Sequence, residues 1–125
     1  MGEGTPQRLG FGRAARLKQG REFARVRQTG ERLALGCLIA NWRRAPATET
    51  SRLGVITSSK LGGAVVRSRA RRLLRESFRR HQHELAHPVE LVLVARASIT
   101  DKGLGTVERD LLTTLRKAGL LKKVK

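Results

Sequence analysis

Acidic and aromatic residues are scarce in this sequence. Its 125 residues contain 10 Asp and Glu against 27 Lys and Arg, a formal net charge of +17. Three Phe and one Trp are the aromatic residues, and Tyr is absent. A positive charge this large exceeds what solubility requires of a small domain. We therefore expect the partner to be a nucleic acid or another anionic surface.

Cysteine and long apolar runs are also scarce. A single cysteine, Cys37, excludes an internal disulfide and is typical of proteins from a reducing compartment. It lies in an apolar run, which favours a buried, inert thiol. No run reaches the length of a membrane-spanning helix, and residues 1–13 contain no apolar signal region. We expect a cytoplasmic protein that does not associate with membranes.

Groups suited to catalysis are few. The acidic residues are scattered, and Glu108 and Asp110 are two residues apart, so they face different directions on a helix. His83 and His87 are four apart and can share a helix face that binds zinc. Without cysteine or a suitably spaced carboxylate, a polar helix end near His81 is the favoured interpretation. We expect no catalytic residue and no metal ligand in the protein.

The basic residues concentrate between Lys60 and Arg80. At 100° per residue, one side of a helix over this stretch carries Val66, Ala70, Leu73, Leu74, Ser77 and Phe78. The other side carries Arg67, Arg69, Arg71, Arg72, Arg75, Arg79 and Arg80. Like charges four residues apart repel, and only Glu76 offers local relief. A solvated basic face is the plain alternative, but this density favours a polyanion, because guanidinium groups pair with phosphate in a fixed planar geometry.

The remaining pattern predicts a single small α/β domain. A three- to four-stranded central sheet is covered by about three helices in the order α-β-β-α-β-α. The predicted elements are a helix within 18–30, strands at 33–42 and 52–57, a helix from 64 to about 83, a strand at 89–97 and a helix at 105–119 capped by Thr106. We interpret residues 1–14 as a flexible basic arm, 15–120 as the RNA-binding domain and 121–125 as a frayed basic tail.

The stretch from Lys60 to Glu76, KLGGAVVRSRARRLLRE, resembles the signature of the bacterial ribonuclease P protein subunit, K-x-G-x-A-V-x-R-N-R-x-K-R-x-x-R-E. Nine positions match: Lys60, Gly62, Ala64, Val65, Arg67, Arg69, Arg72, Arg75 and Glu76. The segment RLKQGREFARVRQTG is similar to the family's first helix. Four departures are Ser59 where a second lysine is common, Ser68 for asparagine, Arg71 for lysine and Arg27 at a position that is often aromatic.

The resemblance implies that an RNA subunit and a protein subunit have different roles in tRNA 5′ maturation. In that family the RNA subunit removes the 5′ leader of precursor tRNA by Mg²⁺-assisted hydrolysis, and the ion is bound mainly by RNA. The protein binds the catalytic RNA and the leader, is inactive alone and needs no protein partner. The family fold also implies a left-handed crossover through the arginine-rich helix, whereas the general rule predicts a right-handed one.

The resemblance also implies two sets of site residues. Contacts to the catalytic RNA are expected from Lys60, Arg67, Ser68, Arg69, Arg71, Arg72, Arg75 and Arg79. A cleft for the leader is expected from Arg16, Lys18, Phe23, Arg27 and Trp42, although a core position is an alternative for Phe23 and Trp42. Two other functions remain open: a ribosomal-type or chaperone-like protein that binds structured RNA, and a stand-alone ribonuclease that uses His81 or His83.

Overall fold

The computed structural model describes residues 16–17 and 20–122, which form a four-stranded sheet and three helices. The elements are α1 (Gly20–Thr29), β1 (Glu31–Leu35), β2 (Leu38–Arg44), β3 (Arg52–Ile56), α2 (Ala64–His81), β4 (Val89–Ala95) and α3 (Leu104–Lys117). The predicted α/β class and sheet size are confirmed. The predicted arm, residues 1–14, and Lys18 lie outside the described residues.

The strand order is β1-β2-β4-β3, with β3 parallel to β4 and the other neighbours antiparallel. The prediction of one strand over 33–42 is wrong, because the chain turns back at Gly36 and Cys37 to form the β1–β2 hairpin. Gly36 has a φ of +60°, and a Cβ there would overlap a carboxylate oxygen of Asp110. The same carboxylate accepts a hydrogen bond from the Cys37 N–H (3.0 Å), so α3 holds the turn.

The connection from β3 through α2 to β4 is left-handed, as the family resemblance implies. The N–H of Arg96 donates to the carbonyl oxygen of Cys37 (3.0 Å), so even-numbered residues of β4 turn their peptide groups toward β2. Odd-numbered residues turn theirs toward β3, and their side chains enter the core under α2 and α3. For L-amino acids, β3 then lies to the right of β4 when the sheet is viewed from α2 with both strands pointing up. The chain therefore crosses leftward, against the usual rule.

The larger core lies between the sheet and the pair α2 and α3. Its fully buried side chains include Leu74, Phe78, Leu91, Leu93 and Leu111. Each such side chain contributes roughly 1.5–3 kcal/mol relative to an exposed position. Cys37 is buried at the edge of this core, and burial, followed by the hydrogen bond and charge of Asp110, raises the pKa of its thiol to about 12.

The smaller core lies on the opposite face of the sheet, under α1. Val26 is fully buried there with Leu17 and Val92, and Phe23 packs against the edge of the cluster. The Phe23 ring lies directly over Gly54 of β3, where a Cβ would come within 2.6 Å of the ring. The glycine therefore lets α1 approach the sheet closely.

The ends of α2 and α3 differ slightly from the prediction. α2 ends at His81 and a 3₁₀ turn follows over Gln82–Glu84. α3 begins after Gly103, so Thr106 lies inside the helix and is not its cap. The tail is held further than expected, because the Lys122 N–H donates to the Glu84 carbonyl oxygen (2.8 Å). None of the helices in the described part of the chain is long and apolar enough to cross a membrane.

A buried carboxylate joins the first ends of β3 and β4 to α1. Glu90 is 4% exposed on the α1 face of β4, and its oxygens lie 3.1 Å from Arg25 Nη2 and 3.7 Å from Arg43 Nε. Arg52 Nη1 lies 3.9 Å from Glu90, while its Nη2 donates to Glu22 of α1 (3.0 Å). Two carboxylates and three guanidinium groups therefore fix α1 at this end of the sheet.

Replacing the buried carboxylate should cost stability. We expect Glu90→Gln to lower the free energy of unfolding by about 3 kcal/mol, because three guanidinium groups then surround a neutral amide. Urea denaturation measures the change. The matched control is Glu49→Gln in the exposed β2–β3 loop, which should change the free energy by less than about 0.5 kcal/mol. Equal effects of the two substitutions would show that the network does not hold α1.

Candidate nucleic-acid interface

The buried face of α2 is the one that the sequence predicts. Ala70, Leu74, Ser77 and Phe78 are buried against the sheet and α3. The Ser77 hydroxyl donates to the Leu73 carbonyl oxygen (2.8 Å), which satisfies the polar group inside the core. The arginines of α2 consequently lie on its flanks and outer surface.

Two of these arginines bind neutral protein oxygens. Arg69 Nη2 donates to the Lys102 carbonyl oxygen (2.6 Å), which ties α2 to the segment before α3. Arg71 Nη1 donates to Thr57 Oγ1 (2.7 Å), and its Nη2 donates to Ser68 Oγ (3.2 Å). A neutral acceptor leaves the positive charge in place, and a guanidinium has five N–H donors. Both residues can therefore orient their forks on the protein and still attract an anion.

The far end of α2 is partly neutralised by protein. Glu76 accepts hydrogen bonds from Arg79 Nη2 (2.5 Å) and Arg80 Nε (3.1 Å). These bonds, from Arg79 first and then Arg80, lower the pKa of Glu76 to about 2. The sequence predicts an arginine face without compensating carboxylates. At this end of α2, Glu76 compensates part of the positive charge.

At the beginning of α2, two further basic residues lie close to the surface. Lys60 is exposed on the 3₁₀ turn Ser59–Leu61, which Ser58 caps by accepting the Lys60 N–H (2.9 Å). Arg67 lies in the first turn of the helix and is half-buried, and its buried Nε makes no hydrogen bond within the described part of the chain. These residues extend the basic surface beyond Arg71.

Arg16 joins the arginines of α2 in one groove. It lies beside the free edge of β3, where the next residue, Leu17, donates its N–H to the Leu53 carbonyl oxygen (2.9 Å). The residues that line this arginine groove are Arg16, Arg72, Arg75, Glu76 and Arg79. Burial first, and then the charges of Arg16 and Arg71, lowers the pKa of Arg75. The sequence places Arg16 in the leader cleft, and the structure places it against the helix that is expected to contact the catalytic RNA.

The α1 face of the sheet has a covered part and an open part. α1 packs over Val92 and Gly54, which are buried. Two residues further along β3 and β4, a row of small and apolar side chains crosses the sheet, and these side chains are half-buried or exposed. This open row consists of Ala34, Ile39, Val94 and Ile56, one residue from each strand. Phe23 is half-buried beside it and Arg27 is exposed on α1.

Trp42 does not share this surface with Phe23. It points into the larger core on the opposite face of the sheet and is 7% exposed. Its neighbour Asn41 lies on the α1 face, paired with Val92. The sequence alone does not identify the open row. Side chains of β2 and β4 alternate between the two faces of the sheet, and the face of each residue can be assigned only once the register of the strands is known.

The histidines do not form a metal site. Within residues 16–17 and 20–122, no group of three or more His, Cys, Asp or Glu side chains is placed to hold a metal ion. The His83 side chain is 61% exposed, and His87 Nδ1 lies 3.3 Å from the Pro88 carbonyl oxygen. The described residues therefore offer no protein site that fits the expected Mg²⁺.

His81 is instead a link between two helical segments. Its Nδ1 lies 2.5 Å from Glu84 and its Nε2 lies 2.6 Å from Glu108 of α3. Burial acts to lower the pKa of His81, but the hydrogen bonds to Glu84 and Glu108 outweigh it and raise the pKa. Both ring nitrogens are occupied, so the imidazole joins the end of α2 to α3.

The sequence is also similar to those of known proteins. The family model for ribonuclease P matches residues 11–119. The chain belongs to the ribonuclease P protein family. It is 36% identical over 106 residues to the ribonuclease P protein component of Syntrophomonas wolfei, covering 85% of this chain and 88% of that one. The component from Thermus aquaticus is 35% identical over 122 residues, which are 97% of this chain and 69% of that one.

Solved ribonuclease P proteins share the fold. The Staphylococcus aureus protein superimposes with a TM-score of 0.79 at 26% identity, covering 87% of this chain and 99% of that one. The Thermotoga maritima protein gives 0.73 at 26% identity, covering 82% and 96%. The predicted function, that of a tRNA-processing subunit of ribonuclease P, is confirmed by this membership. Membership also implies an RNA partner and association with the tRNA-processing hydrolase.

The His81 link predicts a dependence of stability on pH. An ordinary histidine titrates near 6.5, and the folded protein binds the proton more tightly. The link therefore contributes fully below about pH 6.5, and its contribution is lost as the pH rises through the higher pKa of the folded state. We expect Tm to fall over this range in the original protein and to fall less in His81→Gln. Parallel Tm curves would show that the link does not titrate, and His83→Gln is the matched control.

Proposed function

We propose that the chain binds the catalytic RNA of ribonuclease P with α2 and receives the 5′ leader of precursor tRNA on the α1 face of the sheet. The RNA partner carries the Mg²⁺-assisted hydrolysis. The observation that carries this proposal is the dense, incompletely neutralised arginine surface of α2 on one face of the sheet, with an open apolar row on the other face. Residue types suited to holding a polyanion are concentrated on α2, while both ring nitrogens of His81 contact carboxylates of the protein.

The surface proposed for the catalytic RNA follows α2 and the turn before it. Its residues are Lys60, Arg67, Ser68, Arg69, Arg71, Arg72, Arg75 and Arg79. Arg72 and Arg75 form no ion pair within the described residues, and Arg69 and Arg71 are oriented by neutral oxygens. Each phosphate contact would release counterions, so binding should weaken steeply with added salt.

The surface proposed for the leader lies on the opposite face of the sheet. Single-stranded RNA binds where bases stack on aromatic or apolar side chains and basic residues follow the backbone. Phe23 and the open row provide such a platform, and the exposed guanidinium groups of Arg27 and Arg32 flank it. Lys18 and Arg16 stay in the proposed leader path. Trp42 is left out, because its ring is buried in the other core.

Mg²⁺ is assigned to the RNA partner in this proposal. The described part of the protein has no cluster of three or more metal-binding side chains that could hold the ion. We further propose a cytoplasmic location, which fits the single buried thiol of Cys37.

Reconstitution tests the proposed function. The protein, the ribonuclease P RNA of the same organism and a precursor tRNA are mixed at low Mg²⁺, and 5′ cleavage is followed by gel. We expect maturation that fails when either the protein or the RNA is omitted. Cleavage by the protein alone would favour a stand-alone ribonuclease, and binding without faster processing would favour a structured-RNA-binding protein; either result would overturn the proposal.

The leader surface has its own test. We expect Phe23→Ala to weaken holoenzyme binding of a precursor with a long leader by roughly 5- to 100-fold, the range for losing one stacked base. Phe23→Tyr keeps the ring and should stay close to the original. A precursor whose leader is one nucleotide long is the substrate control, and its affinity should not change. Equal losses for both precursors would place the leader elsewhere.

A further inference from the structure

A cavity of about 330 Å³ lies at the end of the sheet where β2 ends and β4 begins. The residues that line it include Gly30, Glu31, Trp42, Arg44, His87 and Gly119. We propose that this end cavity binds one nucleotide whose base carries an exocyclic amino group. The site goes beyond the proposed function and does not rest on it, because these residues lie outside the surfaces proposed for the catalytic RNA and the leader.

An aromatic side chain belongs to the lining of the end cavity. Trp42 is the only tryptophan of the chain, and it points to the face of the sheet that α3 covers. Its side chain combines a planar apolar surface with an indole N–H, and both suit a nucleobase. The function proposed above leaves Trp42 without a role, and the end cavity gives it one.

Two glycines keep side chains out of the end cavity. At Gly30, a Cβ would overlap the carbonyl oxygen of Trp42. Gly119 has a φ of +75° and follows the end of α3, where the Leu120 N–H donates to the Leu115 carbonyl oxygen (3.0 Å). A helix that ends in this way favours glycine at the left-handed position. The backbone geometry therefore excludes larger residues at two places in the wall, and the space stays open.

The two sides of the end cavity differ in charge. Glu31 of β1 lies directly opposite Trp42, so both side chains lie on the same face of the sheet. β4 is the other neighbour of β2, and His87 lies just before it. Arg44 follows Trp42 by two residues, so it shares the same face, and it pairs with Val89 of β4. The cavity therefore has a carboxylate on its β1 side and a guanidinium on its β4 side.

Both charged groups are available to a ligand. Glu31 and Arg44 are exposed, and neither forms an ion pair with another residue in the part of the chain that the structure describes. Arg43, the residue between Trp42 and Arg44, turns to the opposite face of the sheet, where its Nε lies 3.7 Å from Glu90. Arg44 is therefore the guanidinium that can hold an anion in the end cavity.

A nucleotide matches this arrangement. The exocyclic amino group of a base can donate to a carboxylate such as Glu31, and a phosphate pairs with the planar guanidinium of Arg44. β1 and β4 are two strand spacings apart, about 10 Å. This span is longer than a phosphate or a base alone, and it suits a base that is joined to its phosphate through a sugar. Contact with Trp42 lies between the two charged ends.

GMP is the probe, and IMP is the matched ligand control, because IMP has the same charge and the same ring system but no amino group. Trp42 gives the only tryptophan indole N–H signal in an NMR spectrum of the original protein. We expect GMP to shift this signal with a Kd about tenfold or more below the values for IMP, guanosine and inorganic phosphate, as expected for losing a hydrogen bond to a charged group. Equal Kd values for GMP and IMP, or no shift of the Trp42 signal, would overturn the site.

Exposed substitutions test the two ends of the site. Glu31→Gln should remove most of the preference for GMP over IMP, with Glu49→Gln in the β2–β3 loop as its matched control. Arg44→Gln should weaken GMP and IMP alike by about tenfold, with Arg96→Gln after β4 as its control. All four side chains are exposed, so the fold should tolerate each change. Variants that bind like their controls would show that the nucleotide lies elsewhere.

The source of the nucleotide is either an RNA strand or a free mononucleotide. Affinities for the ribonuclease P RNA, and for a precursor with a long leader in the holoenzyme, are measured with and without saturating GMP, and IMP at the same concentration is the control. A loss of affinity with GMP alone assigns the end cavity to an unpaired nucleotide of that RNA. Unchanged affinities, together with the shift of the Trp42 signal, assign it to a free mononucleotide.

Discussion

The structure depends on the way α2 combines apolar burial with arginine repulsion. One side of the helix buries Leu74 and Phe78 in the larger core, and each contributes roughly 1.5–3 kcal/mol. Repulsion between like charges four residues apart costs only a few tenths of a kcal/mol per pair. Burial therefore outweighs repulsion, and the helix can carry many more arginines than its own stability favours. The positive charge therefore lies on a helix whose other side is packed in the core, where an RNA can contact it.

Arg52 and Glu90 connect this helix to the other face of the sheet. Glu90 brings three guanidinium groups under α1, and Arg52 extends from that cluster to the backbone of Arg16. Arg16 then lines the arginine groove with α2. A chain of contacts thus runs around the β3 edge, from the surface proposed for the leader to the surface proposed for the catalytic RNA. The contacts of Glu90 are ion pairs, and the contact from Arg52 to Arg16 is a hydrogen bond to a backbone carbonyl oxygen.

Local patterns in the sequence predict the helices and the buried face of α2, since a period of 3.6 residues needs no knowledge of distant partners. Local patterns do not predict the β1–β2 hairpin, because its turn depends on Asp110, which is 73 residues from Cys37 in the chain. The face of the sheet on which Trp42 lies is not predicted by local patterns either, for a related reason. A shift of one residue moves a side chain to the other face of a strand, and register is set by the neighbouring strands. Arg16 reaches α2 only through the fold around the β3 edge.

The contacts of His81 and His83 bear on whether either side chain could act as a general base in RNA cleavage. A general base needs a free ring nitrogen within reach of the proton that it removes. Both nitrogens of His81 contact carboxylates, so neither is free to remove a proton from a substrate. His83 is largely exposed, and its Nε2 is 3.9 Å from Glu84, too far for a hydrogen bond that would orient the ring. The described arginines are suited to holding a polyanion, and the proposed function accordingly assigns the chemistry to the RNA partner.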